Sequence, residues 1–131
     1  MAEIGKYNTL EVLKEVDFGL YLDGGKTGEI LLPKRYIPEG ARPGSLLEVF
    51  IYLDSEDRPV ATTEKPLARA GQFACLKCID VTRVGAFVDW GLPKNLLVPF
   101  REQKQPMEVG KAYVVYVYFD MESRRMIASA K

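Results

Sequence analysis

Apolar and polar residues alternate along this chain in short stretches, and glycine, proline and aspartate divide one stretch from the next. The clearest stretch is 46–53, where Leu47, Val49, Ile51 and Leu53 alternate with Glu48, Phe50 and Tyr52. A period of two is that of a β-strand with one buried face, and the first set forms that face. Comparable runs stand at 7–14, 18–22, 29–32 and 59–63, then at 73–80, 84–90, 95–98, 112–119 and 126–130. In 112–119 the inward set is Tyr113, Val115, Val117 and Phe119. No stretch keeps a helical period. Asp23-Gly24-Gly25 and Trp90-Gly91 supply residues that tolerate positive φ, so a tight hairpin is expected after the second strand of each group.

The two groups of strands are two copies of one unit. Displaced by 66 residues, the sequence matches itself without a gap: Gly5 falls on Gly71, Leu10 on Leu76, Gly19 on Gly85, Asp23 on Asp89, Pro33 on Pro99, Gly44 on Gly110, Tyr52 on Tyr118, Asp54 on Asp120 and Arg58 on Arg124. A fixed offset with identities at turns and apolar positions marks an internal repeat, and it sets domain boundaries at 1–66 and 67–131. Five strands in about 60 residues, with a longer Pro/Gly-rich connection between the third and fourth, make an all-β chain of two five-stranded Greek-key barrels of the OB type. A barrel this small buries only about 60% of its unfolded surface. It leaves Phe50, Tyr52, Tyr116 and Tyr118 on the outer face of the fourth strands, where they need a neighbour or a ligand.

Composition removes several classes of function. The chain has 131 residues, 18 basic and 18 acidic, 47% hydrophobic residues and no histidine. Without histidine there is no imidazole triad, proton shuttle or imidazole metal site, so no catalytic residues, metal or cofactor are expected. The paired carboxylates Glu56 and Asp57 lie in a turn with nothing to tune them. Cys75 and Cys78, three apart on a strand, point to opposite faces and lack further ligands. No apolar run reaches the length of a membrane span and no leader precedes the first strand, so the expected location is cytoplasmic, with no membrane partner. The balanced charge is unevenly divided: copy one holds 8 basic and 12 acidic residues, copy two 10 and 6. Phosphate contacts are therefore expected in copy two, through Lys77, Arg83, Lys94, Arg101, Arg124 and Arg125.

Copy two carries Gly71-Gln72-Phe73, then Gly85-Ala86-Phe87-Val88-Asp89, Val109-Gly110, Asp120 and Arg124. Copy one carries Asp17-Phe18-Gly19-Leu20-Tyr21-Leu22, with Asp54 and Arg58 in its last hairpin. These residues resemble S1-type RNA-binding domains, and the whole chain resembles the tandem domains of the conserved virulence factor B family of bacterial RNA-binding proteins. The resemblance implies single-stranded RNA as partner, a role in RNA-level gene regulation, and, in a longer parent chain, an additional S1-like barrel and a winged helix. It points to Phe18, Tyr21 and Phe87 as stacking residues and to Asp54 with Arg58, and Asp120 with Arg124, as hairpin acid–base pairs in which the acid holds the guanidinium. Trp90 and Lys94, at the turn after the second strand of copy two, join that site; Trp90 either stacks on a base or caps the barrel end. Copy two has Val84 where copy one has Phe18. Leu31 and Leu97 stand where the family often has a third-strand histidine.

Stacking bases on surface aromatics, with cations following the backbone, is how OB barrels hold single strands. The same aromatic faces also suit a protein-interaction adaptor, and a barrel by itself does not decide between the two.

Overall fold

The computed structural model describes residues 2–131 and contains ten strands and three short 3-10 turns. The strands are β1 (Tyr7–Val16), β2 (Gly19–Asp23), β3 (Glu29–Pro33), β4 (Leu46–Leu53), β5 (Pro59–Thr62), β6 (Gln72–Thr82), β7 (Gly85–Asp89), β8 (Leu96–Pro99), β9 (Ala112–Asp120) and β10 (Arg125–Ser129). They close into two barrels, ordered β1-β2-β3-β5-β4 and β10-β8-β7-β6-β9, the same order in both copies. The first compact unit ends at Lys65 and the second runs from Pro66 to Lys131.

Closure comes from one parallel contact in each barrel. Leu31 pairs with Val60 between β3 and β5, and Leu97 with Ile127 between β8 and β10; every other strand pair is antiparallel. Inside, alternate residues fill the barrel as the period-two pattern requires: Leu10, Val12, Leu20, Leu22, Ile30, Leu32, Val49 and Ile51 in the first, Leu76, Cys78, Val88, Val98, Val115 and Val117 in the second. Cys75 is exposed while Cys78 is buried, on opposite faces of β6.

Two features place the outer face of the second strand. The first is a bulge in the long opening strand, between Val12 and Lys14 in β1 and between Cys78 and Asp80 in β6. The extra residue shifts the side-chain phase, so Lys14 comes opposite Tyr21 and Asp80 opposite Phe87. The second is close strand approach at glycine. A Cβ on Gly19 would lie 2.2 Å from the Leu32 carbonyl oxygen, and one on Gly85 would lie 2.4 Å from that of Val98.

The expected tight hairpins are absent. After β2 the chain makes a 3-10 turn at Gly25–Thr27 before β3 begins at Glu29. The cause is the aspartate that ends the strand: Asp23 Oδ1 accepts the Gly25 N–H at 2.9 Å, drawing the backbone into a wider turn than a two-residue hairpin. Asp89 Oδ1 does the same to the Gly91 N–H, also at 2.9 Å.

The outer aromatics of the fourth strands differ between copies. Phe50 and Tyr52 are buried, with the Tyr7 ring edge-on to Phe50 at 5.3 Å. Their counterparts are more open: exposed Phe73 lies 4.9 Å from exposed Tyr116, and Tyr116 stacks on half-buried Tyr118 at 5.9 Å.

Candidate nucleic-acid interface

The outer face of β2 gathers the aromatic residues singled out in copy one. Phe18, immediately before β2, is 57% exposed. Tyr21 is half-buried, with its ring edge-on to Phe18 at 6.2 Å and 87°. Between them Gly19 is buried, and its missing side chain makes room for the Leu32 carbonyl of the paired strand. The bulged β1 brings Lys14 across the strip: its Nζ stands 5.1 Å above the Tyr21 ring and 3.2 Å from Glu29 Oε1. Lys14 was not among the residues the sequence pattern singled out, because the bulge breaks the alternation that would have assigned it to this face. The Phe18 carbonyl accepts the Lys34 N–H, and a groove of about 540 Å³ opens there, lined by Glu15, Val16, Asp17, Lys34 and Ile37.

Asp54 and Arg58 meet in the β4–β5 hairpin. Arg58 Nε donates to Asp54 Oδ2 at 3.1 Å and Nη2 to Glu56 Oε2 at 2.7 Å, so two carboxylates hold this guanidinium. With Leu31 paired to both Tyr21 and Val60, Arg58 falls toward the Asp23 end of β2, on the opposite side of Tyr21 from Phe18.

Copy two repeats the backbone but not the chemistry. Val84 takes the exposed place of Phe18, and half-buried Phe87 faces Asp80 rather than a lysine. Trp90 is not a stacking residue. It is 2% exposed and donates its Nε1–H to the Lys94 carbonyl at 2.7 Å, because the turn held by Asp89 folds it over the end of the barrel. The Lys94 carbonyl is thus a partner of the indole. The expected Asp120–Arg124 pair is absent too: Asp120 Oδ2 accepts the Ser123 hydroxyl at 2.6 Å and lies 3.5 Å from Arg101 Nη2. In this hairpin the left-handed residue is Arg124 itself, at φ 58°, where copy one has Asp57 at φ 60°. That one-residue shift changes the turn, and among the described residues no carboxylate pairs with Arg124. Nothing in the sequence marks which turn residue goes left-handed.

With the barrels and their outer strips described, the comparison with known proteins becomes decisive: the S1 domain model matches residues 4–64 and again 70–131. The chain belongs to the S1 domain family. It is 34% identical over 115 residues to the uncharacterized protein YitL of Bacillus subtilis (strain 168), an alignment covering 83% of this chain and 38% of YitL. Its fold is similar to the crystal structure of a multidomain protein with nucleic acid binding domains from Streptococcus pneumoniae TIGR4, with a TM-score of 0.80 and 20% identity over 98% of this chain and 46% of that one. The chain therefore spans less than half the length of either relative. Membership of the S1 family supports a nucleic-acid-binding module. Among the described residues no helix is long and apolar enough to cross a membrane.

Both hairpin acids of these S1 domains are held in the ionised form. Burial pushes Asp54 up, but the N–H groups of Arg58 and Glu56 and the Arg58 guanidinium outweigh it and leave the carboxyl below the usual range. For Asp120 the Ser123 hydroxyl bond is the main cause of the same direction, aided by Arg101. A depressed carboxyl stabilises the fold above its unfolded value of 3.8, and the contribution is lost as pH falls through the lower folded value. Acid titration of the first hairpin, followed by the Arg58 amide resonance, should accordingly show a midpoint below 3.8, and Asp54→Asn should abolish that transition. A midpoint at or above the unfolded value would mean that the guanidinium and N–H donors do not hold the carboxylate.

Proposed function

We propose that this tandem S1 chain is a non-enzymatic module that binds single-stranded RNA by stacking bases on the second-strand faces of its barrels and acts in RNA-level regulation in the cytoplasm. The observation that carries the proposal is the strip on the first S1 domain, where exposed Phe18 and half-buried Tyr21 flank Gly19 and a lysine ammonium stands over the Tyr21 ring. Rings at right angles to one another offer successive unpaired bases two surfaces, and the ammonium supplies the charge that a phosphate backbone needs. Phe87 offers the corresponding single surface in the second domain. Arg58, beyond the Asp23 end of the strip, and Arg124 extend the path, both exposed. These groups stack and attract; none of them is arranged to break a bond.

A base stacked on a protein aromatic is worth about 1–3 kcal/mol. Tyr21→Ala and Phe18→Ala should each weaken binding of a labelled single-stranded oligoribonucleotide about 5- to 100-fold in fluorescence anisotropy, while leaving the slope of log K against log salt unchanged. A duplex of equal length should bind weakly. Unaltered anisotropy of wild-type protein with every single strand at low salt would overturn the proposal.

A second reading draws on the aromatic row of the second domain, exposed Phe73 and Tyr116 with half-buried Tyr118, Phe73 being 73% exposed. It assigns the chain to protein interaction, an adaptor role that uses aromatic barrel faces without RNA. Tyr116→Ser would then remove a protein partner while Tyr21→Ala left it in place, the reverse of the pattern expected for RNA.

A further inference from the structure

The two S1 domains carry opposite charges at one matched position, and that position lies beside the stacking ring in both. The bulge that sets Lys14 opposite Tyr21 recurs at the same place in β6 and sets Asp80 opposite Phe87. Directly opposed residues of an antiparallel pair point to the same face, with Cβ atoms about 5 Å apart. In the first domain this geometry puts the ammonium 5.1 Å over the ring. In the second it puts a carboxylate at the edge of Phe87. Asp80 is exposed, its Oδ1 accepts the N–H of Val81 at 2.9 Å, and among the described residues nothing bonds to its other oxygen. One oxygen is therefore fixed by the backbone and the other is an available acceptor at the rim of a stacking surface.

A carboxylate in that place repels a phosphate and also the two carbonyl oxygens that flank the single N3–H donor of uracil. It accepts a hydrogen bond from the exocyclic amino group of adenine, cytosine or guanine, which an unpaired base exposes on its Watson–Crick edge. Lysine at the matched position rests 3.2 Å from the exposed Glu29 carboxylate, a surface pair weak enough to be exchanged for phosphate, and is indifferent to the base. The nearest charge governs this choice, since charges beyond about 8–10 Å are screened at physiological salt. Copy two's surplus of cations does not reverse the sign at Phe87: the closest one by register, Lys77, is the strand partner of Asp89.

We propose that Asp80 makes the Phe87 face of the second S1 domain a reader of amino-bearing bases, while Lys14 makes the Tyr21 face of the first a base-indifferent holder of the sugar–phosphate chain. The proposal rests on the single-stranded RNA reading above and adds to it a base preference and a division of labour between the copies. It replaces the expectation from overall charge, by which phosphate contacts would concentrate in copy two.

The test titrates the whole chain with labelled oligo(A), oligo(C) and oligo(U) of equal length. Wild type should bind oligo(A) and oligo(C) about fivefold or more tighter than oligo(U). Asp80→Ala should abolish that preference without weakening oligo(U), and Phe87→Ala should abolish it as well. Lys14→Glu should weaken all three about equally, by about tenfold, and Lys14→Arg should restore them. Positions 14 and 80 are exposed strand positions, so far-UV circular dichroism and the melting curve should match wild type in each of these two sites' variants. Equal binding of the three oligonucleotides by wild type, or a preference that survives Asp80→Ala, would overturn the proposal. Failure of wild type to bind any of them would instead remove the RNA reading on which it rests.

Discussion

Alanine in place of Gly19 or Gly85 should strongly destabilise the barrel that receives it. The Cβ of alanine at position 19 would stand 2.2 Å from the Leu32 carbonyl oxygen and 3.0 Å from Leu31 Cδ1. At position 85 the corresponding contacts are 2.4 Å to the Val98 oxygen and 3.0 Å to the Pro99 Cα. The nearest obstacle at each position is a backbone oxygen of the paired strand, in register through Gly19–Pro33 and Gly85–Pro99, so relief requires prising β2 from β3 or β7 from β8. The cost combines a backbone conformation that only glycine adopts readily, at about 1–3 kcal/mol, with the clash itself, for a total of about 3 kcal/mol or more. In units of some 65 residues, where each kcal/mol moves Tm by about 4–8 °C, that is a fall of about 15 °C or more. Differential scanning calorimetry of each variant checks it; a shift below about 5 °C would show that the strands yield at the glycine. Alanine at the neighbouring exposed positions 18 and 84 should leave the transition within about 2 °C, which separates the glycine effect from mere proximity to the strip.

Trp90→Ala should be nearly as damaging to the unit that carries it. The indole is 2% exposed and its Nε1–H bonds to the Lys94 carbonyl, so the substitution leaves a cavity and removes that hydrogen bond. Large-to-small changes of a buried aromatic cost about 3–5 kcal/mol. Trp90→Phe keeps most of the volume, loses the hydrogen bond and should cost about 1–2 kcal/mol. Chemical denaturation followed by circular dichroism should give an early transition for the unit Pro66–Lys131 in the alanine variant. An unshifted transition would mean that the indole sits at the barrel end without contributing to its packing. Because Trp90 is the chain's single tryptophan, intrinsic fluorescence reports the folding of this unit and responds little to ligand on the outer strip.

Much of the fold was legible because two independent regularities agree. The period of two in 46–53 and 112–119 named the inward residues, and Val49, Ile51, Val115 and Val117 are buried as that pattern requires. The 66-residue offset then carried each strand of one copy onto its counterpart, so weak local signals supported one another. Trp90 shows where such signals stop. A large aromatic in a turn has the same sequence appearance whether it faces solvent or folds over a barrel end, and the Asp89 side chain that turns it inward acts through one hydrogen bond. The candidate site was legible in its aromatics, since Phe18 and Tyr21 share a face at spacing three only across the Gly19 strand entry. Its charges were not. Lys14 and Asp80 reach the strip through bulges, which shift the alternation by one, and the expected Asp120–Arg124 pair gives way to Ser123 and Arg101 through the choice of left-handed residue. Summed charge over a copy could not anticipate either result, because it says nothing about which residue a bulge presents.

The parallel contact that closes each barrel also bears on how a repeated sequence avoids tangling with itself during synthesis. With the same strand order in both copies, β9 could in principle compete with β4 for β1, and such exchange between like repeats is a characteristic route to misassembly. The closing strand of the first barrel, Pro59–Thr62, leaves the ribosome before the first strand of the second, which starts at Gln72. The first barrel can therefore begin to seal its Leu31–Val60 seam before its rival strands emerge, so translation order favours the correct partnership.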